Sequence, residues 1–92
     1  MASIRELKKD IDFLSTEIIS ECYFRMMMLE NADKTALTAT VSQAVAFSND
    51  FISRANHPDG KKNGKLVKEY YRSLRKEMVT KFSEMVEVMA RQ

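Results

Sequence analysis

Apolar residues recur every three or four positions along three long stretches of the chain, the spacing of one face of an α-helix. The stretches predict helices over about residues 3–30, 34–56 and 65–90. The first stripe comprises Ile4, Leu7, Ile11, Leu14, Ile18, Cys22, Met26 and Leu29. The third comprises Val67, Tyr70, Tyr71, Leu74, Met78, Phe82, Met85 and Met89. We therefore expect an all-α fold, an antiparallel three-helix bundle running up-down-up, with long first and third helices.

The second helix has a less regular stripe and a Thr-rich first half. Because β-branched Thr is a mediocre helix former, we expect packing against the other helices to hold this segment. Its predicted core face, with Phe47 and Phe51 at the border, comprises Leu37, Val41, Ala44, Val45, Ser48, Ile52 and Ala55.

Helix-capping and helix-breaking residues predict where the helices begin and end. Ser3 and Glu6 have the spacing of a capping box, and Asp33 is placed to cap the second helix. Pro58 disfavours helix in the residue before it, which predicts a loop over 57–64. With 92 residues, the chain is interpreted as a single helical domain, 1–92.

Two adjoining regions predict an unusual surface. The segment 22–29 is apolar nearly all round the helix, and no charged residue occurs from Thr35 to Asn49. A bundle can bury only one side of such a helix, and contiguous apolar surface usually marks an interface. We expect a patch that binds a second copy, as a homodimer, or another helical protein. The predicted interface residues are Tyr23, Phe24, Met27, Met28, Thr38, Thr40 and Gln43. The alternative is that these side chains fill a wide end of the monomer core.

Positive charge predicts a second, less favoured function. The net charge is only +2, but residues 58–92 hold nine Lys or Arg against five Asp or Glu. Cations at a helix start oppose the helix dipole unless solvent or an anion compensates them. The candidate anion-binding residues are Lys61, Lys62, Lys65, Lys68 and Arg72. Nucleic acid is a less favoured ligand than a small anion, because glutamates interrupt the basic stripe.

Catalytic, metal and cofactor sites are not expected. His57 is the only histidine and has no Cys or carboxylate at ligand spacing. Cys22 lies on the apolar stripe, so we interpret it as a buried thiol. Glu17 and Glu21 share a face, but Arg25 follows Glu21 at ion-pair spacing. The chain is therefore predicted not to be an enzyme.

The cysteine count and the length of the apolar stretches also predict where in the cell the protein is found. The single Cys excludes an internal disulfide, and no apolar stretch reaches the roughly 18 residues that a membrane-spanning helix needs. No charged segment followed by an apolar run and a cleavage site is found at the N-terminus. We therefore expect a cytoplasmic protein with no membrane partner.

Two segments, 3–11 and 65–71, together with the Asn56-His57-Pro58 break, resemble those of short all-helical proteins from Bacteroidetes-type bacteria. These proteins share the order of capped helix, Asn-x-Pro-like break and basic third helix. The resemblance covers roughly the whole chain and implies a bacterial cytoplasmic protein. It implies no activity and no functional residues.

Overall fold

A computed structural model of the chain describes residues 4–58 and 63–92. These residues form three helices, α1 (Ile4–Met28), α2 (Lys34–Asn56) and α3 (Gly64–Ala90), and contain no strand. The helices pack side by side, with α2 antiparallel to the other two. The predicted all-α three-helix bundle is thus confirmed.

Polar side chains fix the starts of the second and third helices. The Asp33 carboxylate accepts a hydrogen bond from the backbone N–H of Ala36 at 3.0 Å, as its position predicts. Asn63 does the same for α3, accepting from the N–H groups of Lys65 and Leu66. Gly64 is therefore the first helical residue, although the sequence placed it in the loop. Ser3, half of the predicted capping box, lies outside the described residues.

The core is built from one stripe of each helix. The Cys22 side chain is fully buried in it, as predicted. Ser15 and Thr40 are the buried polar residues, and each hydroxyl donates to a backbone carbonyl of its own helix, those of Asp12 and Ala36 respectively. Because both hydroxyls are satisfied locally, their carbon atoms can pack in the apolar interior. The buried apolar residues are Leu7, Ile11, Ile18, Cys22, Leu37, Ala44, Phe47, Phe51, Ala55, Leu74, Met78, Met85 and Met89.

The buried face of α2 differs from the predicted one. Phe47 and Phe51 are central to the core, their rings 4.7 Å apart, whereas Val45 is largely exposed. The helix is rotated toward its two aromatic side chains because each buries far more apolar area than a valine does. Leu37, Ala44 and Ala55 belong both to the predicted core face and to the face that α2 buries.

Tyrosines and an arginine join the end of α2 to α3. The Tyr70 hydroxyl donates to the Arg54 carbonyl at 2.8 Å, and the Tyr71 hydroxyl donates to the Ala55 carbonyl at 2.7 Å. These carbonyls lie in the last turn of α2, where the usual helical donors run out. The Arg54 carbonyl also accepts the N–H of His57 at 3.4 Å, and Pro58 has no N–H to donate. Arg54 also forms an ion pair with Glu77 at 2.7 Å and lies over the Phe51 ring. Its hydrogen bond holds the pKa of the Glu77 carboxyl below the ordinary value.

The helices are staggered along a long bundle of 53 × 18 × 18 Å. Arg54 lies beside Glu77, and Gln43 borders the same groove as Val88. Carried along both helices, this antiparallel register puts Ala90 level with about residue 41 of α2. The α1–α2 hairpin therefore projects past the end of α3 by about 10 Å at 1.5 Å per residue.

Candidate interaction surface

Four large apolar side chains near the end of α1 are exposed to solvent. The exposed fractions are 53% for Tyr23, 52% for Phe24, 76% for Met27 and 64% for Met28. We call these four residues the apolar patch. The alternative that they fill a wide end of the core is wrong, because the described chain does not enclose them.

The helical period and the stagger of the helices together explain this exposure. Asp10 of α1 lies beside Arg75 of α3, and that parallel register places Arg25 level with about residue 90. Met27 and Met28 therefore lie beyond the last turn of α3. Tyr23 and Phe24 lie level with that turn, but one and two residues past the buried Cys22 a helix carries side chains away from the core.

Beyond its first residue, Lys34, α2 extends the uncharged surface beside the apolar patch. The Thr38 hydroxyl lies 3.7 Å from the Sδ atom of Met26, so the exposed Thr38 neighbours this end of α1. Val45 follows Thr38 by seven residues, which places it on the same face of α2 two turns along. No Asp, Glu, Lys or Arg occurs between them.

Two predicted interface residues of α2 lie elsewhere. The prediction for Thr40 is wrong, because its side chain is buried and its hydroxyl is bonded to the Ala36 carbonyl. Gln43 is exposed but borders the α2–α3 groove beside Val88, well round the helix from Thr38. Five residues along a helix correspond to about 500° of rotation, so the two side chains cannot share one flat face.

Of the five candidate anion-binding residues, three lie among the described residues and two do not. Lys65, Lys68 and Arg72 are exposed and lie three and four residues apart, on one face of the start of α3. The backbone N–H groups of Lys65 and Leu66 already bond to Asn63, which leaves fewer helix-start donors for an anion. Lys61 and Lys62 lie outside the described residues. Anion binding here stays a prediction.

Groups with reactive potential are dispersed. Burial raises the pKa of the Cys22 thiol, which disfavours the nucleophilic thiolate. His57 follows the last turn of α2, about 20 Å along the bundle from Cys22 by the helical rise. Glu21 pairs with Arg25 at 3.3 Å, as their spacing predicts. Within residues 4–58 and 63–92, no three His, Cys, Asp or Glu side chains are grouped so that they could hold a metal ion.

An open groove of about 550 Å³ runs between α2 and α3. Its apolar wall includes Phe47 and Met85, and its rim carries Asp50, Lys81 and Glu84. Asp50 lies 3.6 Å from Arg54, and Lys81 lies 3.9 Å from Glu84. The rim charges are thus engaged with neighbours of opposite sign and do not converge on a common point in the groove.

Ile4 and Phe13 are exposed apolar side chains of α1 that were not among the predicted interface residues. Phe13 is 62% exposed and lies on the outer side of the helix, between the buried Ile11 and Ser15. The sequence already indicated that Phe13 is exposed, because Phe13 does not fit the three- and four-residue steps of the core stripe.

Comparison with protein-family models, with curated proteins and with solved structures finds no match to this chain. The resemblance to short helical proteins of Bacteroidetes-type bacteria therefore stays a prediction. None of the three helices, as far as the structure describes them, combines the length and the apolar character needed to cross a membrane.

Proposed function

We propose that this protein is a non-enzymatic interaction module that associates with a second copy, or with another helical protein, through the apolar patch. The observation that carries the proposal is the exposure of Tyr23, Phe24, Met27 and Met28 together on one end of α1. Isolated apolar residues are common on protein surfaces, but a contiguous group of this size favours an interface.

The composition of the patch suits protein recognition. Aromatic residues and Met are enriched in the buried centres of interfaces, and Met adapts its shape to a partner. The uncharged stretch of α2 from Thr35 to Asn49 lowers the cost of desolvation beside the patch, because no charge within it must lose water on binding. A helical partner is favoured since the patch lies along a helix, whose ridges fit the grooves of another helix.

A non-enzymatic role is favoured by the state of the candidate nucleophile. Cys22 is buried with a raised pKa and is remote from His57, so the pair cannot activate each other. The carboxylates of Glu21 and Glu77 are each paired with an arginine.

Sedimentation at micromolar concentration tests the proposal. We expect the parent chain to self-associate, and Phe24→Glu and Met27→Glu to sediment as monomers with unchanged circular dichroism, because each buries a charge in the interface. Val79→Glu is the matched control, since Val79 is also exposed but belongs to α3. A parent chain that is monomeric at every concentration would contradict self-association, and loss of assembly in Val79→Glu alone would place the interface elsewhere.

A further inference from the structure

Exposed cations form a row along the first turns of α3. Lys65, Lys68, Arg72 and Lys76 follow one another at steps of three or four residues, and all four are exposed. By the helical period they fall within about 80° of arc around the helix, and by the helical rise they span about 16 Å. We call these four residues the basic row.

The charges of the basic row are not compensated by ion pairs. Among residues 4–58 and 63–92, no carboxylate forms an ion pair with any of the four cations. The other two cations of α3 are paired, Arg75 with Asp10 at 3.8 Å and Lys81 with Glu84 at 3.9 Å. Unpaired positive charge is therefore concentrated on one face of the start of this helix.

The basic row lowers the stability of the helix that carries it. Lys65 lies in the first turn of α3, where a positive charge opposes the helix dipole, and that turn contains no acidic residue. Arg72 lies four residues from both Lys68 and Lys76, the spacing at which like charges repel across one helical turn. Local arrangements that cost stability without compensation within the fold are typical of functional sites.

The glutamates that interrupt the basic residues in the sequence are mostly turned away from the row in the structure. Glu77 faces α2, where it pairs with Arg54 at 2.7 Å, and Glu84 borders the α2–α3 groove. Glu87 lies about 16 Å past the last cation along the helix and pairs with Arg91. The tertiary structure thus removes most of the objection that the sequence raises against a polyanionic ligand.

Two carboxylates lie nearer to the basic row. Glu69 follows Lys65 by four residues and lies at the edge of the row. The register of Asp10 beside Arg75 places Glu6 of α1 level with about residue 71. Four cations against these two carboxylates leave the face positive.

The length of the basic row favours a polyanion over a single small anion. Successive cations lie about 4.5–6 Å apart along the helix axis, so one phosphate group contacts only one or two of them. The N–H groups at the helix start already bond to the Asn63 side chain and add little to the binding of a single anion. A ligand that engages the whole row must carry a series of negative charges along its length, as the backbone of a nucleic acid does.

The tyrosines beside the row favour a duplex over a single strand. Proteins that bind single strands stack the bases on exposed aromatic rings. Tyr70 and Tyr71 instead turn toward α2, where their hydroxyls donate to the carbonyls of Arg54 and Ala55. The row therefore offers cations for phosphates but no aromatic platform for bases.

The surroundings of the row do not suit a lipid surface. A helix that lies on a membrane buries an apolar face among the lipids beside its cations. The apolar face of this part of α3, with Leu74 and Met78, is buried in the core of the bundle. Leu66 and Val79 are exposed only as single side chains near the two ends of the row.

We propose that the basic row binds the phosphate backbone of a nucleic acid duplex. Contacts with phosphates carry no sequence information, so duplexes of different sequence bind alike. The row lies on α3, whereas the apolar patch lies on α1, so this activity does not depend on the proposed function.

Fluorescence anisotropy of a labelled DNA duplex of mixed sequence, titrated with the parent chain, tests the proposal. The logarithm of the association constant should fall linearly with the logarithm of the salt concentration, with a slope of about −3.6, because each of four phosphate contacts contributes about −0.9. The double variant Lys68→Gln with Arg72→Gln should bind more weakly, with a slope of about −1.8. Absence of binding at low salt, or an unchanged slope in this variant, would overturn the proposal.

Lys34→Gln with Lys81→Gln is the matched control, because it removes the same total charge from other parts of the bundle. Lys34 begins α2, and Lys81 is already paired with Glu84. This variant should bind the duplex as the parent chain does. Equal weakening of the two double variants would mean that net charge alone attracts the DNA and would contradict a site at the row.

Two further titrations separate the classes of ligand. Tighter binding to a single strand, or to vesicles that contain phosphatidylserine, than to the duplex would overturn the assignment to duplex nucleic acid. Duplex binding by a chain that is monomeric at every concentration would support this inference and would at the same time contradict self-association through the apolar patch.

Discussion

The two ends of the bundle use the same kinds of residue in opposite ways. Where α2 ends, Tyr70 and Tyr71 bond to backbone carbonyls and Arg54 lies between Glu77 and the Phe51 ring. At the α1–α2 turn, Tyr23 and its apolar neighbours face solvent. We call the first the closed end, because its polar groups and rings find their partners within one chain. The second is the open end, because α3 ends short of it.

This difference shows that an aromatic or Met residue has no fixed role in a helical bundle. Met78, Met85 and Met89 are buried because they lie on the side of α3 that faces the other helices, whereas Met27 lies on the outer side of α1 and Met28 lies past the end of α3. Stability should therefore depend on the closed end and the core, and association on the open end.

Removing one phenylalanine from each region should give the largest contrast. Phe51→Ala leaves a cavity in the core and removes the ring beneath Arg54, so we expect a loss of about 3–5 kcal/mol in the free energy of unfolding. Phe24→Ala, measured by urea unfolding of the dilute protein, should change it by less than about 0.5 kcal/mol. Comparable losses in the two variants would mean that Phe24 is enclosed by its own chain.

Removing one tyrosine hydroxyl from each end should give a smaller contrast. Tyr71→Phe leaves the Ala55 carbonyl without its donor, which should cost about 0.5–1.5 kcal/mol. Tyr23→Phe should be nearly neutral in the monomer, because the exposed phenol bonds to water in both states. Equal unfolding curves for Tyr71→Phe and the parent chain would argue against the hydrogen bond to α2.

The smallest expected effect is the loss of the stabilising Arg54–Glu77 ion pair at acidic pH. Because Arg54 lowers the pKa of Glu77, the pair stabilises the fold fully above the unfolded value of 4.5, and the stabilisation is lost as the pH falls through the lower folded value. The stability difference between the parent chain and Glu77→Gln should therefore shrink on acidification through that range. Glu84→Gln, on the exposed rim, is the control. A difference that stays constant from neutral pH to pH 3 would contradict this role of the ion pair.

Much of the fold could be predicted from local signals. The helix periods, the Asp33 cap and the Glu21–Arg25 pair are short-range features, so they are readable without knowing the partners of each helix. The face that α2 buries was not readable in the same way. Phe47 displaced Val45 from the core because the volumes of the facing side chains decide the rotation of a helix.

The candidate interaction surface, too, could be predicted from the sequence only in part. An apolar excess around Tyr23 to Met28 follows from the sequence, because one helix cannot hide all its sides in a small bundle. Thr40 was misplaced because a threonine can satisfy its hydroxyl on its own helix and then pack as an apolar residue.

The sequence by itself determined three amphipathic helices, their caps and a surplus of apolar side chains, since these depend on residues close together in the chain. Only the tertiary structure decided which of those side chains stay exposed. The rotation of each helix and the stagger of α3 against the α1–α2 hairpin set that outcome together. Both depend on contacts between residues far apart in sequence, such as Arg54 with Glu77 and Asp10 with Arg75.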